Sequence, residues 1–414
     1  MKTRRSTDHS RTLGESAEYR KGIPDRRARH TMLLSCLLVF LAQLTTTIYL
    51  PSLPEVARHF GTSGSGAELS VSCFVIGAAA PVVLWGVAAD RYGRRAALLA
   101  ALALFTGAGA ALMVTGSLPV LLALRTLQGV GAGGSAIIAR ILVRDLGSGT
   151  ELARRLSVLS IAFIGALGGG QFLGGLIDRY ARWQTGFGVL AALGLVAMLG
   201  TLLLPMEPAS ATRTPSADVW RNCLAIARTP GFLRPAAAGG LGFAALVLLQ
   251  QVSPFVLQQH FGLSAEASGT LGLLLGAAYL AGALTVNRLV ARVGPERLLR
   301  SGPLVVTGAG ALLTVLWSLP RLPSGAALAA FTALCCAVAF GQSVLFPNSM
   351  ATAVGAVADP GAYAMSLCGF LQQSMAGATA AGAVLLHGEV LWSAAVAGLG
   401  LAAWLLTHPP RRAR

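Results

Sequence analysis

Acid is scarce in this sequence. Only 16 of the 414 residues are Asp or Glu, and charged residues of both signs make up 12%, where a soluble domain carries roughly a quarter. With 54% hydrophobic residues, that shortage excludes an ordinary globular domain. Cysteine is sparse as well. Cys36, Cys73, Cys223, Cys335, Cys336 and Cys368 include no C-x-x-C pair, and five of them fall in apolar runs, so neither a disulfide framework nor a zinc site is indicated. Histidines stand singly, without H-E-x-x-H or a comparable metal spacing. No nucleophile–base pattern stands out. An enzyme, a metal centre and an organic cofactor are therefore not expected.

What the chain has in abundance is long apolar segments. They lie at about 31–50, 66–88, 96–115, 118–143 and 156–177, with a sixth ending near 204. After a polar stretch, six more follow at about 236–257, 267–286, 302–319, 324–347, 364–386 and 390–407. Most are close to the ~20 residues that a helix needs to cross a bilayer. The pattern predicts an all-α membrane protein of twelve transmembrane helices in two pseudo-symmetric six-helix halves, 31–204 and 235–408. Residues 205–234, with Pro205, Pro208, Pro215 and Pro230, read as a linker. Residues 1–30 are polar and basic without periodicity and read as a disordered tail; 409–414 form a second, short basic tail.

The net charge of +16 could suggest nucleic acid, but its distribution points elsewhere. Of the 32 Lys and Arg, 27 lie in the two tails and the even-numbered connections. Four lie in the odd-numbered ones, and Arg125 falls within a span. This is the positive-inside asymmetry. It predicts both termini in the cytoplasm and a lipid bilayer, not nucleic acid, as the partner.

The densest charge sits between the second and third apolar segments, in Gly86-Val-Ala-Ala-Asp90-Arg91-Tyr92-Gly93-Arg94-Arg95. It reads as a tight hairpin. Asp90 is placed to accept hydrogen bonds from the start of span eleven, near Gly361 to Ser366, where the helix dipole favours an anion. Arg91 or Arg94 is placed to pair with Asp145 and tie spans two and four together. Arg125 is an intramembrane charge, and its plain alternative is snorkelling to an interface. Glu68 is the best-placed acid for carrying a proton; its plain alternative is a carboxylate at a helix N-terminus. Span five carries Gly165, Gly170, Gly174 and Gly175, small residues that let helices approach closely. Polar and aromatic residues that lipid would not tolerate are candidates for a substrate cavity. They are Gln43, Thr46, Tyr49, Gln128, Gln250, Gln251, Ser253, Tyr279, Gln342, Asn348, Gln372 and Gln373. As a group they are neutral.

These motifs resemble the major facilitator superfamily, and within it the drug:proton antiporters of the group containing multidrug resistance protein D and the bicyclomycin/chloramphenicol exporters. The resemblance rests on Gly86 to Arg95, on Thr47-Ile48-Tyr49-Leu50-Pro51, on Arg125-Thr126-Leu127-Gln128-Gly129 and on Ala139-Arg140 to Arg144-Asp145. In the second half, Leu345-Phe346-Pro347-Asn348 and Leu371-Gln372-Gln373 look similar. It implies the major facilitator fold and proton-coupled efflux of amphipathic drug-like molecules across a bacterial inner membrane, driven by the proton gradient, with a monomer as the working unit. It also implies a gating role for the Gly86–Arg95 hairpin. Two departures stand out. Many relatives place an acid where this chain has Thr47, and the antiporter motif of span five has proline where this chain has Gln171. Export of one metabolite (a sugar, an amino-acid derivative or a siderophore) is the alternative within transport. A non-transporting receptor is the alternative outside it.

Overall fold

The computed structural model describes residues 25–146, 149–203, 216–318, 323–357, 362–386 and 388–408. Among them every regular element is a helix, as a bilayer requires of a chain that must satisfy its own backbone polar groups. The first half contains α1 (Asp25–Thr47), the short α2 (Leu53–His59), α3 (Gly64–Ala79), α4 (Val82–Tyr92), α5 (Arg94–Leu112), α6 (Leu118–Asp145), α7 (Gly149–Tyr180) and α8 (Thr185–Leu203). After α9 (Ser216–Ala227) come α10 (Pro230–Phe255), α11 (Ala265–Val293), α12 (Pro295–Ser318), α13 (Ser324–Gly355), α14 (Ala362–Gly382) and α15 (Glu389–Leu406).

Among the described residues ten helices are long and apolar enough to cross a membrane. The second span is not one straight helix: α3 and α4 make an eleventh crossing, bent by 40°. Pro81 lies in the gap. It has no N–H to donate and its ring clashes with the carbonyl four residues back, so the helix breaks there. Helix α14, which the sequence pattern predicts as a further span, is not among these; its 21 residues include Gln372 and Gln373, whose amides lower its hydropathy. Packing against protein on several sides makes that polarity tolerable.

Helix pairing shows the pseudo-symmetry. In the first half α1 packs on α6, α7 and α8, while α5 packs on α6 and α8. The second half repeats this: α10 packs on α13, α14 and α15, and α12 on α13 and α15. The halves meet along two seams, α7 on α11 and α3 on α14, which exchange under the same correspondence. A local repeat marks it in sequence too. His59-Phe60-Gly61-Thr62-Ser63 and His260-Phe261-Gly262-Leu263-Ser264 occupy matching corners. Gly61 and Gly262 both take positive φ, and Ser63 and Ser264 each accept a backbone N–H of the helix that follows. We refer to this as the far end, and to the opposite one, bearing Gly93 and Gly294, as the signature end.

Several boundaries differ from the sequence expectation. Helix α1 begins at Asp25, so 25–30 of the expected tail are helical; Arg26, Arg27 and Arg29 carry the helix past the apolar stretch. Residues 1–24 and 409–414 lie outside the described residues. Within the expected linker, 205–215 also lie outside them, 216–227 form α9, and α10 starts at Pro230, where the missing N–H of proline suits a first turn.

Candidate functional site

At the signature end Gly93 joins α4 to α5 with φ 92° and ψ 149°, and Gly294 joins α11 to α12 with φ 84° and ψ 153°. A side chain at either would be strained, so each half turns its second hairpin on an obligatory glycine. Arg94 bridges the hairpin to α6: its Nε donates to Asp145 at 3.2 Å and its Nη2 lies 3.5 Å from Asp90. Arg144 lies 3.5 Å from the same Asp145. Arg94, not Arg91, therefore ties span two to span four; Arg91 lies over the neighbouring Tyr92 ring at 5.4 Å. Arg95 donates to the carbonyl of Leu202 at 2.7 Å, capping the end of α8.

Asp90 departs from the expected latch. Its side chain is 54% exposed and its ion-pair partner is Arg94. Among the described residues it accepts no hydrogen bond from α14, while Gly361 falls outside them. The contact between α4 and the second half here is apolar: Val87 packs against the cluster of Phe232, Leu367 and Cys368. Gly86 faces open space.

Arg125 does not snorkel. It is 0% exposed, held near the far end of α6. Its guanidinium lies 4.5 Å from the Phe74 ring, 4.9 Å from Tyr49 and 5.6 Å from Phe187. Nη1 donates to Gln128 Oε1 at 2.8 Å and approaches the Thr45 carbonyl at 3.5 Å, while Nε and Nη2 have no hydrogen-bond partner among the described residues. Aromatic faces offset part of a cation's desolvation, but no carboxylate pairs with it among the described residues. Tyr49 is fixed by Phe187 at 5.3 Å and by the Ser70 hydroxyl, which donates to its oxygen at 3.1 Å. Arg140, toward the signature end of α6, is half-buried and likewise pairs with no acid among the described residues.

Glu68 lies one turn into α3, beside the second half. It is 8% exposed, and its carboxyl has no hydrogen bond or ion pair among the described residues. Gln251 of α10 reaches across to it, donating from Nε2 to the Glu68 carbonyl at 3.1 Å and to Ser72 Oγ at 3.2 Å.

The expected cavity residues divide. Gln43, Thr46 and Gln373 are half-buried. Gln342 and Gln372 are packed inside the second half against Gly242 and Gly239 of α10, and Gln372 Nε2 donates to Ser349 Oγ at 3.1 Å. Asn348 donates to the Val344 carbonyl of its own helix, and Ser253 to that of Gln250. Tyr279 packs near Phe163, with ring centroids 6.0 Å apart. Gln128 belongs to the Arg125 cage and Gln251 to the seam, whereas buried Gln250 leaves its Nε2 unpaired among the described residues.

The span-five glycines also divide. A Cβ on Gly170 would meet Thr47 Oγ1 at 2.0 Å, one on Gly174 the Ile48 carbonyl at 2.1 Å, and one on Gly175 the Ala265 carbonyl at 2.7 Å. Gly165 has no neighbour within 4 Å and is not a packing glycine; it lies on the exposed face of α7. Thr47 itself is a helix-to-helix tie, donating to the Ala166 carbonyl at 2.8 Å. Gln171 sits in the α7–α11 seam against Gly269 and Gly272. Neither this contact nor Gln258, which donates across the halves to the Pro51 carbonyl at 2.7 Å, was visible in the sequence.

Residues 35–381 match the sequence pattern of the Major Facilitator Superfamily. The chain belongs to this superfamily. Among its relatives, Multidrug resistance protein MdtM of Salmonella typhimurium is 28% identical over 312 residues, covering 75% of this chain and 74% of that protein. The Bicyclomycin resistance protein homolog of Haemophilus influenzae is 25% identical over 325 residues, covering 77% and 79%. Multidrug resistance protein D of Escherichia coli is 28% identical over 191 residues, covering 46% and 48%. The crystal structure of a D-xylose-proton symporter superposes with a TM-score of 0.73 over 93% of this chain and 99% of that one, at 15% identity. This facilitator is thus an integral membrane protein whose fold is shared well beyond its sequence relatives.

Proposed function

We propose that this facilitator exports amphipathic drug-like molecules across the bacterial inner membrane in exchange for protons, by alternating access, with the signature end and both termini in the cytoplasm. The observation that carries the reading is the way the halves meet. Their described polar contacts cluster at the far end, at Gln251 with Glu68 and Ser72, Gln258 with Pro51, and Arg179 with Glu266. The described ion pairs of the signature hairpin stay within one half. Contacts so divided suit two bodies that rock about a site between them. The names of the relatives support drugs as the cargo, and the arginine distribution supports the orientation.

Glu68 is the proposed proton carrier. An isolated ionised carboxylate is costly to bury, and this one stands at the seam that must open. The interior of the spans holds Arg125 without a paired acid among the described residues, so neutral or weakly acidic substrates are favoured over permanent cations. The test is proton movement in proteoliposomes containing the pure protein, on adding neutral, acidic and quaternary analogues of matched size. Substrate-dependent proton efflux that ranks the quaternary compounds last is expected. No proton movement with any of them would overturn the coupled reading.

A further inference from the structure

Gln251 of α10 and Gln258 of the turn that follows it form the polar clasp of the far end. Helix α10 carries Gln251 in its last full turn and runs into a π-helical turn, Val256–His260, that carries Gln258. Pro254 starts this irregularity: it cannot donate to the Gln250 carbonyl, which instead receives the Ser253 hydroxyl at 3.4 Å. Wide turns of this kind recur at functional positions in helices. Both glutamines point at the other half. Gln251 Nε2 reaches the Glu68 carbonyl at 3.1 Å and Ser72 Oγ at 3.2 Å, and Gln258 Nε2 reaches the Pro51 carbonyl at 2.7 Å.

We propose that Gln251 and Gln258 are the positioning residues that hold the far end closed, and that losing their amide donors shifts the transporter toward its far-end-open form. The principal acceptors, at Glu68 and Pro51, are main-chain carbonyls, so the glutamine donors alone decide whether those contacts exist. The chemistry suits a reversible closure. An ion pair sealed in a dry seam would be costly to break, whereas a neutral amide exchanges its carbonyl for water with a small net change. Among the described residues Gln251 Oε1 has no partner in the closed form, and Gln171 Nε2, in the seam against Gly269 and Gly272, has none either. Opening hydrates both atoms, which keeps the two forms close in free energy.

Pulsed electron–electron resonance on spin-labelled protein tests the clasp. The six native cysteines are replaced, and labels are placed across the far end at Arg182→Cys and Val390→Cys. A second pair spans the signature end at Tyr92→Cys and Arg297→Cys. All four parent residues are exposed. In Gln251→Leu and in Gln258→Leu the far-end distribution should gain a longer component, with the open-to-closed ratio rising about two- to tenfold for each lost donor. In the double variant it should rise further while the signature-end pair shortens. Thr285→Val, at a half-buried threonine whose described hydrogen bond stays within its own helix, should change neither pair. An unchanged far-end distribution in a folded double variant would overturn the proposal, and so would broadening of both pairs together, which marks a loosened structure and not a released clasp. The device presupposes alternating access, but the test needs no substrate and no gradient, so its failure is separate from failure of the proton-movement experiment.

Discussion

Replacing Arg125 with methionine should leave the protein about as stable as the parent while abolishing coupled transport. The guanidinium lies within 5.6 Å of three aromatic rings and makes one short hydrogen bond to Gln128. Desolvated cation–π contacts contribute about 0.5–2 kcal/mol each, and a hydrogen bond to a charged group about 1.5–3 kcal/mol. Together these favour arginine by roughly 3–9 kcal/mol. Against them stands the effective penalty of burying a charge, still several kcal/mol after relaxation, with two donors left unpaired. The two sides are comparable. A methionine of suitable length keeps the packing, so the net change should stay within about 2 kcal/mol. Arg125→Ala differs, because the emptied cage adds a cavity cost of about 2–4 kcal/mol. Melting temperatures of the three proteins in one detergent, read beside proton-driven uptake in proteoliposomes, separate the contributions. If methionine lowers the melting temperature as far as alanine does, the guanidinium is a structural tie. If the methionine variant transports normally, the charge has no role in the cycle.

Other outcomes follow from the same geometry. Glu68→Gln should abolish proton-driven accumulation while sparing downhill substrate exchange; an unaltered pH dependence of transport would remove Glu68 from the mechanism. Gly174→Ala should lower expression and melting temperature, because its Cβ would meet a main-chain carbonyl at 2.1 Å, whereas Gly165→Ala, facing open space, should be silent in both measurements. Thr47→Asp, which from the sequence would supply the acid many relatives carry, should instead destabilise the protein without gaining export of cations. The carboxylate would face the Ala166 and Gln43 carbonyls that the threonine hydroxyl now addresses, and a melting curve beside a panel of quaternary compounds decides it. Reporter fusions at Gly61 and Glu389 should read as outside and one at Ser216 as inside; a reversed reading at Ser216 would defeat the orientation.

Apolar length, charge placement and one hairpin motif were enough to read the membrane class and the superfamily from the residues alone. A bilayer imposes a length and a backbone rule on every span, and the hairpin needs a glycine at position 93 whatever surrounds it. The break at Pro81 and the paired His-Phe-Gly corners emerged only with the structure, although the residues that make them were legible. Partners were not. Whether Arg125 snorkels or is caged, whether Arg91 or Arg94 meets Asp145, and whether Gly165 or Gly174 touches a neighbour all depend on which face each helix turns inward. Within apolar spans of low amphipathicity, little in the sequence fixes that rotation. The same holds for Gln251 and Gln258. In sequence they are two of many polar residues that lipid would reject. Only the docking of two separately packed halves brings their amides to main-chain carbonyls about 200 residues away, because such carbonyls exist at every position and carry no signature of their own.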